Sequence, residues 1–240
     1  MGCHITGVFD VNRQHTLPND DFGLVQAWAD SIASMGLTAV LLHNGFSPKT
    51  IRKHQSKHLL FRRVQHAAAF SPNVYRYGLY EQLLRSWPTP VEAVFFTDVS
   101  DVVVLNNPFV QPLFLSNPQS VFCGDEPKPL QNDWMLDHGT FFRQAVPDYA
   151  RFEADFAHLP LLNCGIIGGS AAVMLPFVEA LWALHARFNG HNNTAFTGDM
   201  GMFNYLVRTR YNGHVLHGSP VNTVFKGYET QRSDCWFRHK

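Results

Sequence analysis

The sequence predicts a single α/β domain, with a mostly parallel mixed sheet and helices on both faces. Three observations carry that reading. Apolar segments of strand length alternate with segments of helical apolar spacing, the pattern of βα units. No repeat, low-complexity tract or Ser/Gly linker divides the 240 residues, and 45% of them are hydrophobic, enough for one large core. Polar residues fall where the strands end: Asp10, His43 and Asn44, Asp98 and Asp101, Asp125 and Glu126, Asn163. Ligands of open sheets bind beyond the carboxyl ends of the strands, so these residues mark one shared crevice.

The elements follow in order. HITGVFDV (4–11) reads as the first strand. DDFGLVQAWADSIASMG (20–36) has helical spacing, acids at its start and Gly36 as a stop. LTAVLLHNG (37–45) is a continuous apolar run, as in a fully buried parallel strand. NVYRYGLYEQLLRSW (73–87) is helical and is closed by Pro88 and Pro90. VEAVFFTDVSDVVVL (91–105) reads as a strand that continues past two acids, and SVFCGDE (120–126) as a short strand. A helix is expected over 148–158, a strand and tight turn over 161–170, and helices over 171–189, despite Pro176, and 199–211. Segments 214–222 and 235–240 are the last strand candidates.

Composition narrows the function. Lys+Arg and Asp+Glu both number 19, so the formal net charge is zero and no global basic excess exists to grip nucleic acid or an acidic membrane. A local exception is SPKTIRKHQSKHLLFRRVQH (47–66), with Lys49, Arg52, Lys53, Lys57, Arg62 and Arg63. Such a run suits an anionic acceptor or peripheral contact with a lipid head group, and equally a solvated face. His54 and His58 stand four apart on an expected helix there, without the glutamate of a zinc HExxH motif. Cys3, Cys123, Cys164 and Cys235 form no CxxC pair and read as reduced. Gly2 and Thr6 loosely fit a myristoylation pattern, but ITGVFD reads better as core strand. With neither an apolar leader nor an uninterrupted apolar run of ~18 residues, the expectation is a cytoplasmic, soluble chain without a transmembrane segment. GxGxxG, GxxxxGK[ST] and GxSxG are all missing, which leaves dinucleotide, P-loop and hydrolase readings without support.

The stretch AVFFTDVSDVVVL (93–105) sets the chemical question, because a buried unpaired carboxylate is expensive. Asp98 and Asp101 suit a hard divalent cation, Mg²⁺ or Mn²⁺, which takes carboxylate oxygens and keeps places for substrate phosphates. They equally suit a turn cap and an arginine pair, and pattern alone leaves both open.

FFTDVSDVVVLNNPF resembles the aspartate motif of GT-A nucleotide-sugar glycosyltransferases, in its Asp-x-x-Asp variant of DxD. LLNCGIIGGS, TGDMGMFNYLV and CWFRHK are similar, in order and spacing, to the family's Asn-Ser-Gly strand, its Asp-Gln-x-x-x-Asn helix and its closing His beside a Lys. The resemblance covers nearly the whole chain. It implies a GT-A (Rossmann-like) fold, with a nucleotide-binding half over about 1–110 and an acceptor-binding half over about 111–240. It implies a metal-dependent glycosyltransferase that takes a nucleoside diphosphate sugar, UDP-linked by analogy, and a glycan or other hydroxyl acceptor, with no nucleic acid. Asp101, Asp98 and His239 would hold Mn²⁺ or Mg²⁺, in a glycogenin-like arrangement that leans toward retention. His217 competes with His239 for the third position. Lys240 and Arg76 would meet the diphosphate, Asp10 and Gly165 would line the nucleotide sugar, and Asn163 and Asp199 would face the sugar or acceptor. Asp199 also suits a helix N-cap. Asp133, Asp137 and His138 suit an acceptor loop, and Trp134 suits stacking on a sugar ring. The chain can be one domain of a longer protein. Rival readings are a sugar-1-phosphate nucleotidyltransferase, for which GVFDVNRQHTLPND around Arg13 has too few glycines, and a non-catalytic carbohydrate-binding domain.

Overall fold

A computed structural model describes residues 1–10, 15–188, 198–227 and 234–240. The chain runs β1 (Gly2–His4), β2 (Phe9–Asp10), β3 (His15–Thr16), α1 (Gly23–Ser34), β4 (Ala39–His43), α2 (Pro48–His54), β5 (Leu59–Arg63), α3 (Pro72–Ser86), β6 (Ala93–Thr97), β7 (Val102–Val104), α4 (Pro112–Leu115) and β8 (Val121–Pro129). It continues through α5 (Asp133–His138), α6 (Thr140–Ala145), α7 (Tyr149–Asp155), β9 (Pro160–Ser170), α8 (Ala171–Phe188), α9 (Asp199–Leu206), β10 (Val215–His217) and β11 (Phe237–His239).

Seven strands form the central sheet in the order β10-β8-β9-β6-β1-β4-β5. All neighbours pair in parallel except β9, which runs against both β6 and β8. This is a Rossmann-like α/β architecture. The interior strand β4 is buried at every position, which explains its unbroken apolar run. Two apolar clusters lie on the two faces. One gathers Tyr77, Tyr80, Phe96, Phe142, Phe177 and Phe203; the other gathers Trp28, Phe61, Phe95, Phe122, Trp236 and Phe237. α8 has the length and composition of a membrane-crossing helix. Its Val173, Met174, Phe177, Val178 and Leu181 are nevertheless buried in the first cluster, as in a core helix.

Several boundaries differ from the sequence expectation. The strand expected over 4–11 stops at His4; Gly7 takes a left-handed φ of 73°, and Phe9–Asp10 pairs instead with His15–Thr16. The strand expected over 91–105 does not continue past its acids. It leaves the main sheet after Thr97, and Val102–Val104 re-forms as half of a separate ladder with β11. Two ionised side chains are tolerated in a turn beyond the carboxyl end of a central strand far more easily than within a buried ladder. His54 and His58 do not share a helix, because α2 ends at His54 and a turn precedes β5. Asp133, Asp137 and His138 lie on α5, not on a loop. Asn189, expected in α8, and Arg13 lie outside the described residues.

Candidate metal centre

The antiparallel direction of β9 builds the site. Its residues pair with β6 so that Ile166 faces Thr97, and the Asp98 N–H donates to the Gly165 carbonyl at 2.8 Å. Asn163 and Gly165 therefore arrive at the carboxyl end of β6 from the first half of a strand, not from a strand's end as the sequence pattern implied. The β7–β11 ladder brings in the last component. Val102 pairs with His239, and the Lys240 N–H donates to the Asp101 carbonyl at 3.1 Å.

Asp98, Asp101 and His239 each turn one ligand atom into a common space, all within 4.8 Å of one another. His239 Nε2 stands 3.8 Å from Asp98 Oδ2 and 4.0 Å from Asp101 Oδ1. The histidine is buried, and Phe225 packs edge-on against its ring with centroids 4.6 Å apart. The two carboxylates are about one-third exposed, so the cluster opens on one side. Holding two carboxylates so close costs about 1–3 kcal/mol, taking an effective dielectric between those of water and a protein surface. A cation offsets that cost, and one nitrogen with two carboxylate oxygens is a donor set that Mn²⁺ or Mg²⁺ accepts. Space at the cluster depends on Gly165: a Cβ there would lie 2.3 Å from His239 Cε1, 2.7 Å from Asp98 Oδ2 and 3.0 Å from Asn163 Oδ1. The residues present thus fit a divalent ion. His217 does not join them; its Nδ1 bonds Asp125 Oδ2 at 2.9 Å.

Arg76 lies beneath the cluster, buried on α3. It donates through Nη1 to Asp98 Oδ1 and through Nη2 to Asp199 Oδ2 at 3.5 Å, Tyr77 Oη at 3.2 Å and the Cys164 carbonyl at 3.4 Å. Burial alone would lower its pKa, but Tyr77 and Asp98 beside it hold it above the ordinary arginine range. Its guanidinium is committed to two carboxylates, so it sets Asp98 with Oδ1 toward the interior and leaves Oδ2 for the cluster. Asp199 is the first residue of α9, not its cap. Gly198, at φ 55°, occupies the cap position, and Asp199 Oδ1 accepts the neighbouring Met200 N–H at 2.9 Å.

Asn163 points along the same wall. Its Oδ1 accepts the Gly165 N–H at 2.7 Å and its Nδ2 donates to Glu126 Oε1 at 2.9 Å. Glu126 also pairs with Lys128 at 3.0 Å. Glu126, Lys128, His158 and Phe225 line an open cleft of about 470 Å³, which the Phe225 contact joins to His239. The Asn163–Glu126 link has no sequence motif; its only signal was the acidic pair that ends an apolar strand. Lys240 is exposed beside the cluster. Asp10 ends β2, and its side chain lies outside the described residues. The structure therefore brings Asp98, Asp101, His239, Gly165, Asn163, Arg76, Asp199 and Lys240 to one end of the sheet.

Comparison with protein-family models and with curated proteins gives no match.

Proposed function

We propose that this protein is a metal-dependent glycosyltransferase of the GT-A type, moving a sugar from a nucleoside diphosphate sugar, with uridine as the nucleoside, to a hydroxyl acceptor. The observation that supports it is the meeting of Asp98, Asp101 and His239 at the carboxyl end of β6, beside the close-approach position of Gly165. Transfer breaks the bond between the sugar's anomeric carbon and a diphosphate oxygen and joins that carbon to the acceptor oxygen, whose hydroxyl proton leaves with the released diphosphate. The leaving diphosphate carries concentrated negative charge, and a divalent ion held by Asp98, Asp101 and His239 supplies its neutralisation. Lys240 adds a mobile cation at the open side. Arg76 positions Asp98 and Asp199 from below instead of meeting the diphosphate. Asp199 and Asn163 face the transferred sugar or the acceptor hydroxyl, and the glycogenin-like histidine favours retention.

The test is a panel of nucleotide sugars screened for thermal stabilisation with and without Mn²⁺. At a hundred times Kd the preferred donor raises Tm by roughly 5–10 °C in a chain of this size. Asp101→Ala abolishes that Mn²⁺-dependent rise and leaves the unliganded Tm within about 2 °C, because it removes a partly exposed group whose neighbour has the same charge. Undiminished sugar transfer in excess chelator overturns the reading. Formation of pyrophosphate from a nucleoside triphosphate and a sugar phosphate would replace it with nucleotidyl transfer.

A further inference from the structure

The cationic stretch 47–66 takes no part in the metal centre, and neither does a second cleft. Lys53, Lys57, Arg62 and Arg63 are all exposed along the end of α2, the following turn and the edge strand β5. The stretch contains no Asp or Glu. Among the described residues the surface ion pairs lie elsewhere, at Arg85, Lys128, Arg143 and Arg151. Lys49 differs from the rest, because Asp20 stands near it. In a chain of zero formal net charge, this edge is a strong local excess.

The second cleft, of about 380 Å³, is lined by Leu84, Trp87, Pro88, Pro90, Val91 and Leu175, with Thr89 the one hydroxyl-bearing neighbour. The two features meet at one contact: the Arg62 guanidinium lies 5.5 Å from the centre of the Trp87 ring. An apolar cleft whose rim carries cations fits a molecule with an anionic head and an apolar tail.

We infer that this face docks on an anionic phospholipid bilayer, with Lys53, Lys57 and the Arg62 guanidinium on the head groups and the Trp87 cleft receiving acyl chain; Arg63, at the carboxyl end of β5 and on the other face of the sheet, is not part of it. A nucleic acid would use the cations but leaves the cleft without a role, and the aromatic ring here is covered by Arg62 rather than presented for base stacking. The geometry also suits a working enzyme. Lys53 and Lys57 precede β5 as Val91 precedes β6, whereas Asp98 follows β6, so cleft and metal centre lie at opposite ends of that strand, which alone spans roughly 17 Å at ~3.3 Å per residue. Docking at one end leaves the other facing water.

The test is co-sedimentation of the full chain with phosphatidylcholine vesicles, with and without phosphatidylserine, over a salt series. Binding that requires phosphatidylserine and weakens with salt is the expected result. Neutralising the three cations (K53Q/K57Q/R62Q) weakens it on the order of a hundredfold, since each such residue near an anionic surface is worth roughly fivefold. Trp87→Ser weakens binding about tenfold through lost apolar contact and leaves the salt dependence unchanged. Val91→Asp replaces it as the cleft variant should Trp87→Ser lower Tm. Absence of binding to phosphatidylserine vesicles, equal binding to phosphatidylcholine alone, full binding by the triple variant, or tighter binding to single-stranded RNA each overturns the inference. None of these results depends on glycosyl transfer.

Discussion

Substituting Gly165 by alanine tests the metal centre at its tightest point. The added Cβ would meet His239 Cε1 at 2.3 Å, Asp98 Oδ2 at 2.7 Å and Asn163 Oδ1 at 3.0 Å. Carbon atoms in contact settle near ~3.5–4.0 Å, so the imidazole must retreat by about an ångström, and Asp98 by roughly half of that. His239 cannot retreat freely, because it is buried with Phe225 against its ring. Asp98 is held by Arg76 on its other oxygen. Metal sites tolerate ligand displacements of only ~0.2 Å, so Mn²⁺ affinity falls by about 100-fold or more, beyond the ~10–100-fold of an outer-shell lesion. The overpacking itself costs about 1–3 kcal/mol of fold stability. Calorimetric titration of Mn²⁺ into wild type and Gly165→Ala measures the first effect, and urea unfolding the second. Gly124→Ala on the neighbouring strand is the control: its nearest contact would be an ordinary 3.5 Å, and Mn²⁺ affinity stays at the wild-type value. A folded Gly165→Ala protein that binds Mn²⁺ as tightly as wild type refutes the assignment of Asp98 and His239 to one ion.

Three further outcomes follow from the same packing. Arg76→Ala strands Asp98 and Asp199 without their shared guanidinium and costs about 3–5 kcal/mol in urea unfolding, whereas Arg76→Lys recovers part of it. Burial, aided by the Arg76 charge, lowers the His185 pKa to about 3. Between that value and the ordinary ~6.5, the unfolded chain binds a proton that the folded one refuses. His185 therefore contributes a loss of stability as pH falls through that window, with a limiting slope of about 1.4 kcal/mol per pH unit. His185→Phe, which can keep the stacking on Tyr77, should flatten that acid limb in pH-dependent urea melts; an unchanged limb would show that other groups set it. Burial raises the thiol pKa of Cys123 and Cys164, both buried, so these two should react with Ellman's reagent only at the rate of unfolding, ahead of which the partly buried Cys3 is titrated.

The layered fold was legible because hydrophobic periodicity follows directly from which faces are buried, and the run Ala39–His43 is the clearest case. The direction of β9 was not legible. Its residues are buried almost throughout, so the apolar pattern carries no polarity, and only pairing fixes which end of Pro160–Ser170 meets Asp98. The edge strand β5 escaped notice for the opposite reason. Its two outermost residues are the exposed Arg62 and Arg63, and charges on an edge protect against aggregation while erasing the strand signal. At the site, Asp98 and Asp101 could be picked out by residue type, His239 only through the resemblance of CWFRHK, and the structure places His239 rather than His217 with the two acids. The tie from Asn163 to Glu126 could not be read, because it joins two strands through a side-chain contact without fixed spacing. Nor could the placement of Arg76, which depends on the depth of α3 beneath the turn.

The ladder between Val102–Val104 and Phe237–His239 has a consequence for biosynthesis. A ribosome releases Asp98 and Asp101 long before His239, with most of the second half of the chain still to be made. Until β11 emerges and zips onto β7, the nascent domain holds Asp98 and Asp101 with no imidazole to complete their grip. Capacity to seize an ion thus arrives only once Phe237–His239 has been made, after all seven strands of the central sheet, which precede it in the chain.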